Sequence, residues 1–364
     1  MWLQEHEPEV LRRTRRVYFA KDYLRSRLTG DFCTDSIEAM GSMLFNDYTG
    51  TWEPELCALA GLSVDMLPEI REPGDIAGCI GRSAAADTGL REGTPVLVGT
   101  TDTALEVYAS GAVSPGCATV KLATAGRICV ITDAPVKSRQ FFNYRHVIPG
   151  LWYPGTGTRS CAASYKWYRD VFGAAELRDA EEAGVSAYAL LDEAAKNAPP
   201  GSDNLFFHPY LLGEMTPYYD DKLRASFTGV GMHHTKAHFS RSVMEGVAYS
   251  MRDCLEEVKR MDIAVSEYRM IGGGAKGALW RQILCDVLAV PLTVTVENDS
   301  SLGSAMLAGV AVGAFSDFRD SVEKCVAVSA RMAPITENVE IYAQGFENYR
   351  RIQRALSAVY HGMF

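Results

Sequence analysis

Residues 268–277 read YRMIGGGAKG, and this stretch is the strongest indication of the fold. A short apolar segment leads into three consecutive glycines, followed by a helical pattern over Leu279–Ala289 and a second apolar segment over Leu292–Val296. Strand, glycine turn, helix and strand in this order are typical of an α/β protein. Glycines allow a close approach to a ligand, and a helix start offers unused N–H donors. The sequence therefore predicts an α/β fold with a candidate ligand loop at Gly272–Gly274.

The spacing of the glycines is also compatible with two other interpretations of this loop. Gly272, Gly274 and Gly277 satisfy G-x-G-x-x-G, and Glu297 follows the next predicted strand, where a dinucleotide-binding fold has its ribose-binding acid. Against that fold, the stretch lies near the end of the chain, with no room for a full six-stranded sheet after it. A tight strand-to-helix turn without any ligand also explains the glycines.

The remaining elements follow from apolar periodicity and turn residues. A charged turn at Arg91–Pro95 separates a first part of the chain from a buried strand and a helix. Two strands joined by Thr124–Gly126 form a predicted hairpin. The other helices are a surface helix, a long amphipathic helix capped by Thr235, and a helix of small residues that packs closely on its neighbours. The predicted ranges are Pro95–Gly99, Ala104–Ser110, Ala118–Leu122, Ile128–Ile131, Leu177–Asn197, Thr235–Met261 and Ser304–Val312.

The composition is typical of a globular protein of two domains. The chain has 364 residues, of which 47% are hydrophobic, and a formal charge of −9. This acidic balance argues against binding to nucleic acid or to an anionic membrane, since both need a basic face. An anionic small ligand is still allowed, because backbone N–H groups at a helix start bind phosphate without a net positive charge.

The cysteines and the apolar segments bear on the location of the protein. Nine scattered cysteines include no Cys-x-x-Cys pair, so neither a disulfide framework nor a zinc site is predicted. The longest apolar stretch, Ala305–Phe315, is shorter than the ~20 residues of a membrane span. The charged first twenty residues do not resemble a signal peptide. We therefore expect a cytoplasmic protein with reduced thiols.

Two polar segments are candidates for chemistry, and each has a simpler interpretation. Asp102 follows a predicted strand, where a carboxylate can act as a general base, but spacing alone favours a helix cap. Thr124–Gly126 offers a hydroxyl and backbone N–H groups to a phosphate, although a plain hairpin turn is the simpler explanation. The loop Gly213–Asp220 could line a pocket or lie in solvent. His233 and His234 lack metal-ligand spacing.

Six segments in order resemble the FGGY family of carbohydrate kinases, in particular its xylulokinase-like branch. The match runs over nearly the whole chain. The second signature is especially close, with Phe227, Gly229, His238, Ser242 and Glu245 at the required spacing. The other segments are Lys21–Asp35, Gly99–Asp102, Leu122–Gly126, Pro209–Pro217 and Gly272–Ala275. This resemblance displaces the dinucleotide-binding interpretation.

The resemblance implies a fold, a reaction and a set of site residues. The fold is the two-domain, ribonuclease-H-like α/β architecture of the actin and hexokinase superfamily. The reaction is the transfer of the ATP γ-phosphate to a hydroxyl of a sugar or polyol, with Mg²⁺. Asp102 is the implied general base and contacts the substrate together with Thr103. The implied nucleotide contacts are Thr124 and Gly126 for the phosphates, and Gly273, Gly274 and Ala275 for adenosine. Dimers are frequent in this family, so a homodimer is expected.

The sequence also departs from the family pattern. Thr103 stands where Gln is frequent, Met215 replaces an arginine, and Ala123 and Ala125 replace Gly and Ser in the phosphate loop. Residues 1–9 resemble the interior of the first signature, so we expect an N-terminally truncated chain. Residues 1–93 would be the end of domain I, and residues 94–364 would be domain II. The alternative is a non-catalytic nucleotide-binding fragment that lacks the N-terminal phosphate and sugar motifs.

Overall fold

A computed structural model describes residues 2–363, and they form two compact units. The first unit contains the described residues up to Val113 together with Tyr144–Trp152 and Asp299–Val326. The second unit contains Ser114–Asn143, Tyr153–Asn298 and the described residues from Ala327 onward. Neither unit has an edge at residue 93, and the boundary expected there stays a prediction.

Fifteen α-helices lie within residues 2–363. They are α1 (Trp2–His6), α2 (Pro8–Arg13), α3 (Ala20–Thr29), α4 (Ser36–Gly41), α5 (Pro54–Leu59), α6 (Arg82–Thr88), α7 (Asp102–Ala109), α8 (Ala162–Phe172), α9 (Ala174–Ala183), α10 (Ala187–Ala195), α11 (Lys236–Arg260), α12 (Ala278–Leu288), α13 (Ser300–Ala311), α14 (Phe318–Cys325) and α15 (Thr336–Met363). By the hydropathy and length of these helices, none of the described ones could span a membrane.

Fourteen strands lie in the same described range. They are β1 (Cys33–Asp35), β2 (Phe45–Asn46), β3 (Thr51–Trp52), β4 (Glu69–Arg71), β5 (Ile76–Cys79), β6 (Pro95–Leu97), β7 (Cys117–Leu122), β8 (Gly126–Val130), β9 (Gly155–Gly157), β10 (Phe206–His208), β11 (Ser226–Thr228), β12 (Glu267–Ile271), β13 (Leu292–Thr295) and β14 (Val328–Met332).

A six-stranded mixed sheet in the order β14-β13-β12-β7-β8-β9 is the centre of the second unit. The three middle strands, β13, β12 and β7, run parallel to one another, while β14, β8 and β9 pair antiparallel. Val120 and Leu122 of β7 point to the same face of the sheet and are fully buried in one core with Val247 and Met251 of α11. Thr119, which points to the other face, is buried as well, so both faces of β7 are covered.

Smaller sheets occur in the first unit. β1 pairs parallel with β4, whereas β2 with β3 and β5 with β6 form antiparallel pairs. The helix of small residues, α13, packs closely on α7, since a Cβ at Gly303 would lie 2.2 Å from the carbonyl oxygen of Leu105. The close packing predicted for α13 is therefore confirmed.

Most of the predicted elements are confirmed. The hairpin of β7 and β8, the long helix α11 and the strand–turn–helix–strand of β12, α12 and β13 lie where the sequence indicates. Thr235 precedes α11 as predicted, and its N–H donates to the imidazole Nδ1 of His238 at 3.1 Å. Trp280 is 4% exposed and belongs to the hydrophobic core of the second unit, and the partly buried Trp167 packs against that core.

Two predictions about the extent or burial of elements are wrong. The surface helix over Leu177–Asn197 is divided into α9 and α10, because Gly184 adopts a positive φ of 65° and Ser186 caps the second helix. The strand at Pro95 is only partly buried, because it pairs with β5 in a two-stranded sheet instead of entering a larger one.

The contact between α11 and β10 leads to a test of the core. A Cβ at Gly246 would lie 2.1 Å from the carbonyl oxygen of Phe207, so an alanine there must displace backbone. We expect Gly246→Ala to lower the free energy of unfolding by about 2 kcal/mol, the usual cost of overpacking. Urea unfolding measures it. Gly41→Ala is the matched control in α4, because nothing lies within 4 Å of its added Cβ. Equal stability of both variants would contradict the close contact.

Candidate active site

The loop between β7 and β8 carries the predicted phosphate contacts. The carbonyl oxygens of Ala123 and Thr124 accept from the N–H groups of Ala162 (2.8 Å) and Cys161 (2.9 Å) at the start of α8. The N–H of Gly126 donates to Thr158 Oγ1 at 3.3 Å. The loop is thus held in place by the start of α8 and by the residue that follows β9. Thr124 itself is exposed, so its hydroxyl is accessible to a ligand.

The glycine-rich turn lies beside this loop. After β12, Gly272 has a φ of +94°, and a Cβ there would be 2.7 Å from the carbonyl oxygen of Leu122, the last residue of β7. A Cβ on Gly274 would be 2.6 Å from the Leu122 side chain. Gly273 is different, because nothing lies within 4 Å of its added Cβ. The turn therefore packs against the end of β7 and leaves open space at Gly273.

The parallel register explains why these two loops meet. Ile271 of β12 lies opposite Lys121 of β7, so both strands end at the same edge of the sheet. In α/β sheets, ligands bind at the carboxyl ends of parallel strands. The structure brings together the predicted residues Thr124, Gly126 and Gly273–Ala275, which are far apart in the sequence. Ala275 is buried, so its side chain faces the core.

The G-x-G-x-x-G spacing has a packing explanation. A Cβ at Gly277 would lie 2.6 Å from Oδ2 of Asp192, whose Oδ1 accepts from the Tyr165 hydroxyl at 2.8 Å. The mixed sheet also differs from the parallel sheet of a dinucleotide-binding fold. That interpretation is therefore wrong for this chain, and Glu297 is an exposed residue after β13.

The loop Gly213–Asp220 is anchored by a buried acid instead of lying in solvent. Oε1 of Glu214 accepts from the N–H groups of Arg159 (2.9 Å) and Met215 (2.7 Å), and Oε2 accepts from the Ser250 hydroxyl (2.9 Å). Burial raises the pKa of Glu214 to about 7, although these donors favour its charged form. Glu214 thus connects the loop to α11 and to the turn after β9.

Asp102 lies in the first unit, at the first position of α7. The predicted cap at Asp102 is wrong, because α7 starts two residues earlier than the periodicity indicates. Thr101 takes the cap, and its Oγ1 accepts from the N–H of Ala104 at 3.3 Å. Asp102 is exposed, and its Oδ1 accepts from the N–H of Thr103 at 2.6 Å. Asp102 therefore does not cap α7, and its carboxylate is accessible.

A buried polar network lies behind Asp102 within the first unit. Oδ1 of Asp35 accepts from the Thr100 hydroxyl at 2.7 Å, and its Oδ2 is 2.8 Å from Nζ of Lys21. Nζ of Lys21 also contacts Oδ1 of Asp22 at 2.6 Å. Both aspartates are fully buried. Sequence reasoning assigned these residues no role, since contacts between residues 35 and 100 have no local signal.

No group of three or more His, Cys, Asp or Glu side chains among residues 2–363 could hold a metal ion. His233 and His234 precede α11 and contact each other with tilted rings, whose centroids are 4.1 Å apart. They are a loop pair, as their spacing predicts. A Mg²⁺ ion in a kinase is bound mainly by phosphate oxygens and water, so it can enter with the nucleotide without such a group of protein ligands.

Comparison with known proteins identifies the family. Residues 1–108 match the N-terminal domain of the FGGY family of carbohydrate kinases, and residues 124–312 match its C-terminal domain. The chain belongs to the FGGY family of carbohydrate kinases. Members of this family are phosphotransferases, and the family resemblance of the sequence motifs is confirmed.

Similar proteins include kinases that are named for different substrates. The chain is 30% identical to the xylulose kinase of Bacillus subtilis (strain 168), over 97% of this chain and 69% of that protein. It is 32% identical to the autoinducer-2 kinase of Enterobacter sp. (strain 638), over 94% of this chain and 66% of that protein. The chain thus spans roughly two thirds of the length of these FGGY relatives.

Solved structures of similar kinases confirm the fold. The xylulose kinase of Rhodospirillum rubrum superposes with a TM-score of 0.87 at 27% identity, over 99% of this chain and 72% of that chain. The Plasmodium falciparum glycerol kinase with ADP superposes with a TM-score of 0.82 at 18% identity, over 97% of this chain and 70% of that chain. The two-domain α/β architecture of the actin and hexokinase superfamily is therefore confirmed.

The buried acid in the second unit makes stability depend on pH. The pKa of Glu214 is about 7 in the folded protein, against an ordinary value of 4.5. The stability that the neutral side chain contributes is therefore fully present below about pH 4.5, and it is lost as the pH rises through 7, because the folded protein must then bury a charge. Glu214→Gln has no charge to bury. We therefore compare the free energies of unfolding of the variant and the wild type at each pH. We expect the difference to shift in favour of the variant by about 2–3 kcal/mol from about pH 5 to about pH 8, because only the wild type loses stability.

Urea unfolding at both pH values measures this difference. The exposed Glu182→Gln in α9 is the matched control, and its stability relative to the wild type should be the same at both pH values. A Glu214→Gln variant whose relative stability does not change with pH would contradict a neutral, buried Glu214.

Proposed function

We propose that this chain transfers the γ-phosphate of ATP to a hydroxyl of a sugar or polyol. The observation that carries the proposal is the meeting of the Thr124 loop and the glycine turn at one edge of the sheet, beside Leu122. Membership of the FGGY family supports the same reaction. Phosphoryl transfer depends mainly on positioning and on stabilisation of charge, which fixed loops of this kind can supply.

Asp102 is the proposed general base. Its carboxylate is exposed, and Oδ1 is oriented by the N–H of Thr103, while Oδ2 has no hydrogen-bond partner among the described residues. Oδ2 would accept the proton of the substrate hydroxyl as that oxygen attacks the γ-phosphorus. Thr103, the next residue, would contact the same substrate and keeps its own hydroxyl 3.3 Å from Oδ1 of Asp102.

The nucleotide contacts are proposed for the second unit. The exposed hydroxyl of Thr124 and the backbone at Gly126 would bind phosphate oxygens, and Gly273, Gly274 and Ala275 would cover adenosine. The open space at Gly273 supports this assignment, because no protein atom accounts for the absence of a side chain there. Mg²⁺ bound with ATP would neutralise the phosphates. With these contacts, a chain of charge −9 binds ATP without a basic surface.

The acceptor is proposed only as a class. Relatives are named for xylulose and for autoinducer-2, so their names suggest a small polyhydroxylated molecule but do not agree on one. A panel of pentuloses, polyols and sugar acids covers this class. The cytoplasmic location and the homodimer stay predictions.

A non-catalytic nucleotide-binding protein is the second candidate. Ala123 and Ala125 support it, since the phosphate loop of the family usually carries Gly and Ser there, and the missing Ser hydroxyl weakens one phosphate contact. ATP hydrolysis or transfer by this chain alone would exclude it. Binding of ATP without turnover on any member of the panel would favour it.

Replacement of the proposed base tests the reaction. We expect Asp102→Asn to lower kcat by about 10²- to 10⁴-fold, because the amide cannot accept the proton. Affinity for ATP, measured by calorimetry, should be unchanged. Asp87→Asn, an exposed residue of α6, is the control and should keep full activity. An Asp102→Asn variant with wild-type kcat would refute the role of Asp102.

The open position in the glycine turn tests the nucleotide site. An added methyl at Gly273 meets no protein atom within 4 Å, so Gly273→Ala should keep the melting temperature. If adenosine lies over this turn, the methyl should lower ATP affinity by about tenfold or more, and calorimetric titration measures it. Gly362→Ala in α15 is the matched control, because nothing lies within 4 Å of its added Cβ either. Unchanged ATP affinity would contradict the assignment.

A further inference from the structure

The turn that leads to Asp102 is held at successive residues by separate parts of the first unit. The N–H of Val98 donates to the carbonyl of Asp75 (2.8 Å), and its carbonyl accepts from Arg25 (2.5 Å). The N–H of Gly99 donates to the carbonyl of Pro73 (3.0 Å). Within the turn, all three contacts are made by backbone atoms, so no side-chain replacement at Val98 or Gly99 removes them. They fix the path of the chain up to Gly99.

Thr100 makes the next contact through its side chain. Its hydroxyl donates to Oδ1 of Asp35 at 2.7 Å, and both residues are buried. The same Oδ1 accepts from the N–H groups of Ile37 (3.0 Å) and Glu38 (3.1 Å) at the start of α4. One carboxylate oxygen thus joins β1, α4 and the turn two residues before Asp102.

The charge on Asp35 is compensated inside the protein. Nζ of Lys21 lies 2.8 Å from Oδ2 of Asp35 and 2.6 Å from Oδ1 of Asp22. A hydrogen bond to an ionised, buried carboxylate is stronger and more directional than one between neutral groups. Loss of the Thr100 hydroxyl would leave Asp35 with two N–H donors and an ammonium group. A variant at position 100 is therefore expected to fold.

We propose that Thr100, held by Asp35, is a positioning residue that fixes the direction of the Asp102 carboxylate. The contact restrains the residue next to the Thr101 cap, where the chain enters α7. A displaced carboxylate would meet the substrate hydroxyl in poor geometry, and displacements near 1 Å cost about 10²-fold in rate. The inference rests on the proposed role of Asp102, but the order of the turn is measurable without any substrate.

The experiment compares three variants of the full chain. Thr100→Val removes the hydroxyl and keeps the shape of the side chain, whereas Thr100→Ser keeps the hydroxyl. Thr34→Val is the matched control, because Thr34 of β1 is also fully buried but its Oγ1 has no hydrogen-bond partner among the described residues. Amide hydrogen exchange of residues 99–105, kcat, the KM for ATP and the melting temperature are measured for each.

We expect Thr100→Val to raise exchange by about tenfold at the amides of Ala104 and Leu105, which donate to Thr101. We expect the same variant to lower kcat by about 10- to 100-fold. The KM for ATP should stay within about twofold, and Thr100→Ser and Thr34→Val should resemble the wild type. In the Asp102→Asn background, Thr100→Val should cause no further loss of rate, because the two residues act through one carboxylate. A merely structural role would lower the rate in both backgrounds.

The outcomes separate this inference from the proposed reaction. If the wild type phosphorylates nothing in the panel, the proposed function fails, and hydrogen exchange still decides whether Thr100 orders the turn. Exchange in Thr100→Val equal to that in Thr34→Val would overturn the inference. A loss of rate that is additive with Asp102→Asn would overturn it as well.

Discussion

The parallel pairing of β7 with β12 is the constraint on which the candidate nucleotide site depends. Five register pairs, from Glu267 opposite Cys117 to Ile271 opposite Lys121, align the two strands over their whole common length. A slip of one residue would turn every side chain of a strand to the other face, so the buried Val120 and Leu122 enforce this register. The loops that follow both strands are adjacent for this reason.

The glycines of the site serve the packing of the backbone more than contact with a ligand. Gly272 and Gly274 lie against Leu122, and a Cβ at Gly126 would be 2.4 Å from Sδ of Met251 in α11. This close packing brings the loop after β7 and the turn after β12 together at one edge of the sheet. A glycine motif in the sequence therefore reports the proximity of two protein segments first, and Gly273 is the position where open space points to a ligand.

The fold was largely predictable from the sequence because its elements are strongly periodic. The long stripe of α11 and the hairpin of β7 and β8 have patterns that local reasoning detects. The division into α9 and α10 depends on a single glycine in the left-handed conformation, and a helical average over twenty residues hides it. The partial burial of β6 follows from its pairing with β5 alone, which periodicity does not contain.

The candidate site was less predictable, because it also depends on contacts that local patterns do not contain. Gly99–Asp102, Thr124–Gly126 and Gly272–Ala275 were found through the order of motifs along the chain. The contacts that fix them are long-range. The Thr100 hydroxyl reaches Asp35, sixty-five positions earlier in the chain, and Glu214 anchors its loop to Ser250. No spacing rule connects such pairs, so the network behind Asp102 became visible only in three dimensions.

The interleaved composition of the two units has a consequence for how this chain is made. The chain passes from one unit to the other after Val113, Asn143, Trp152, Asn298 and Val326. During synthesis, the first unit cannot be completed until α13 and α14 have left the ribosome, although most of it emerges early. Until then, the face of α7 that α13 covers in the folded protein stays exposed. For the same reason, neither unit can be expressed as one continuous fragment.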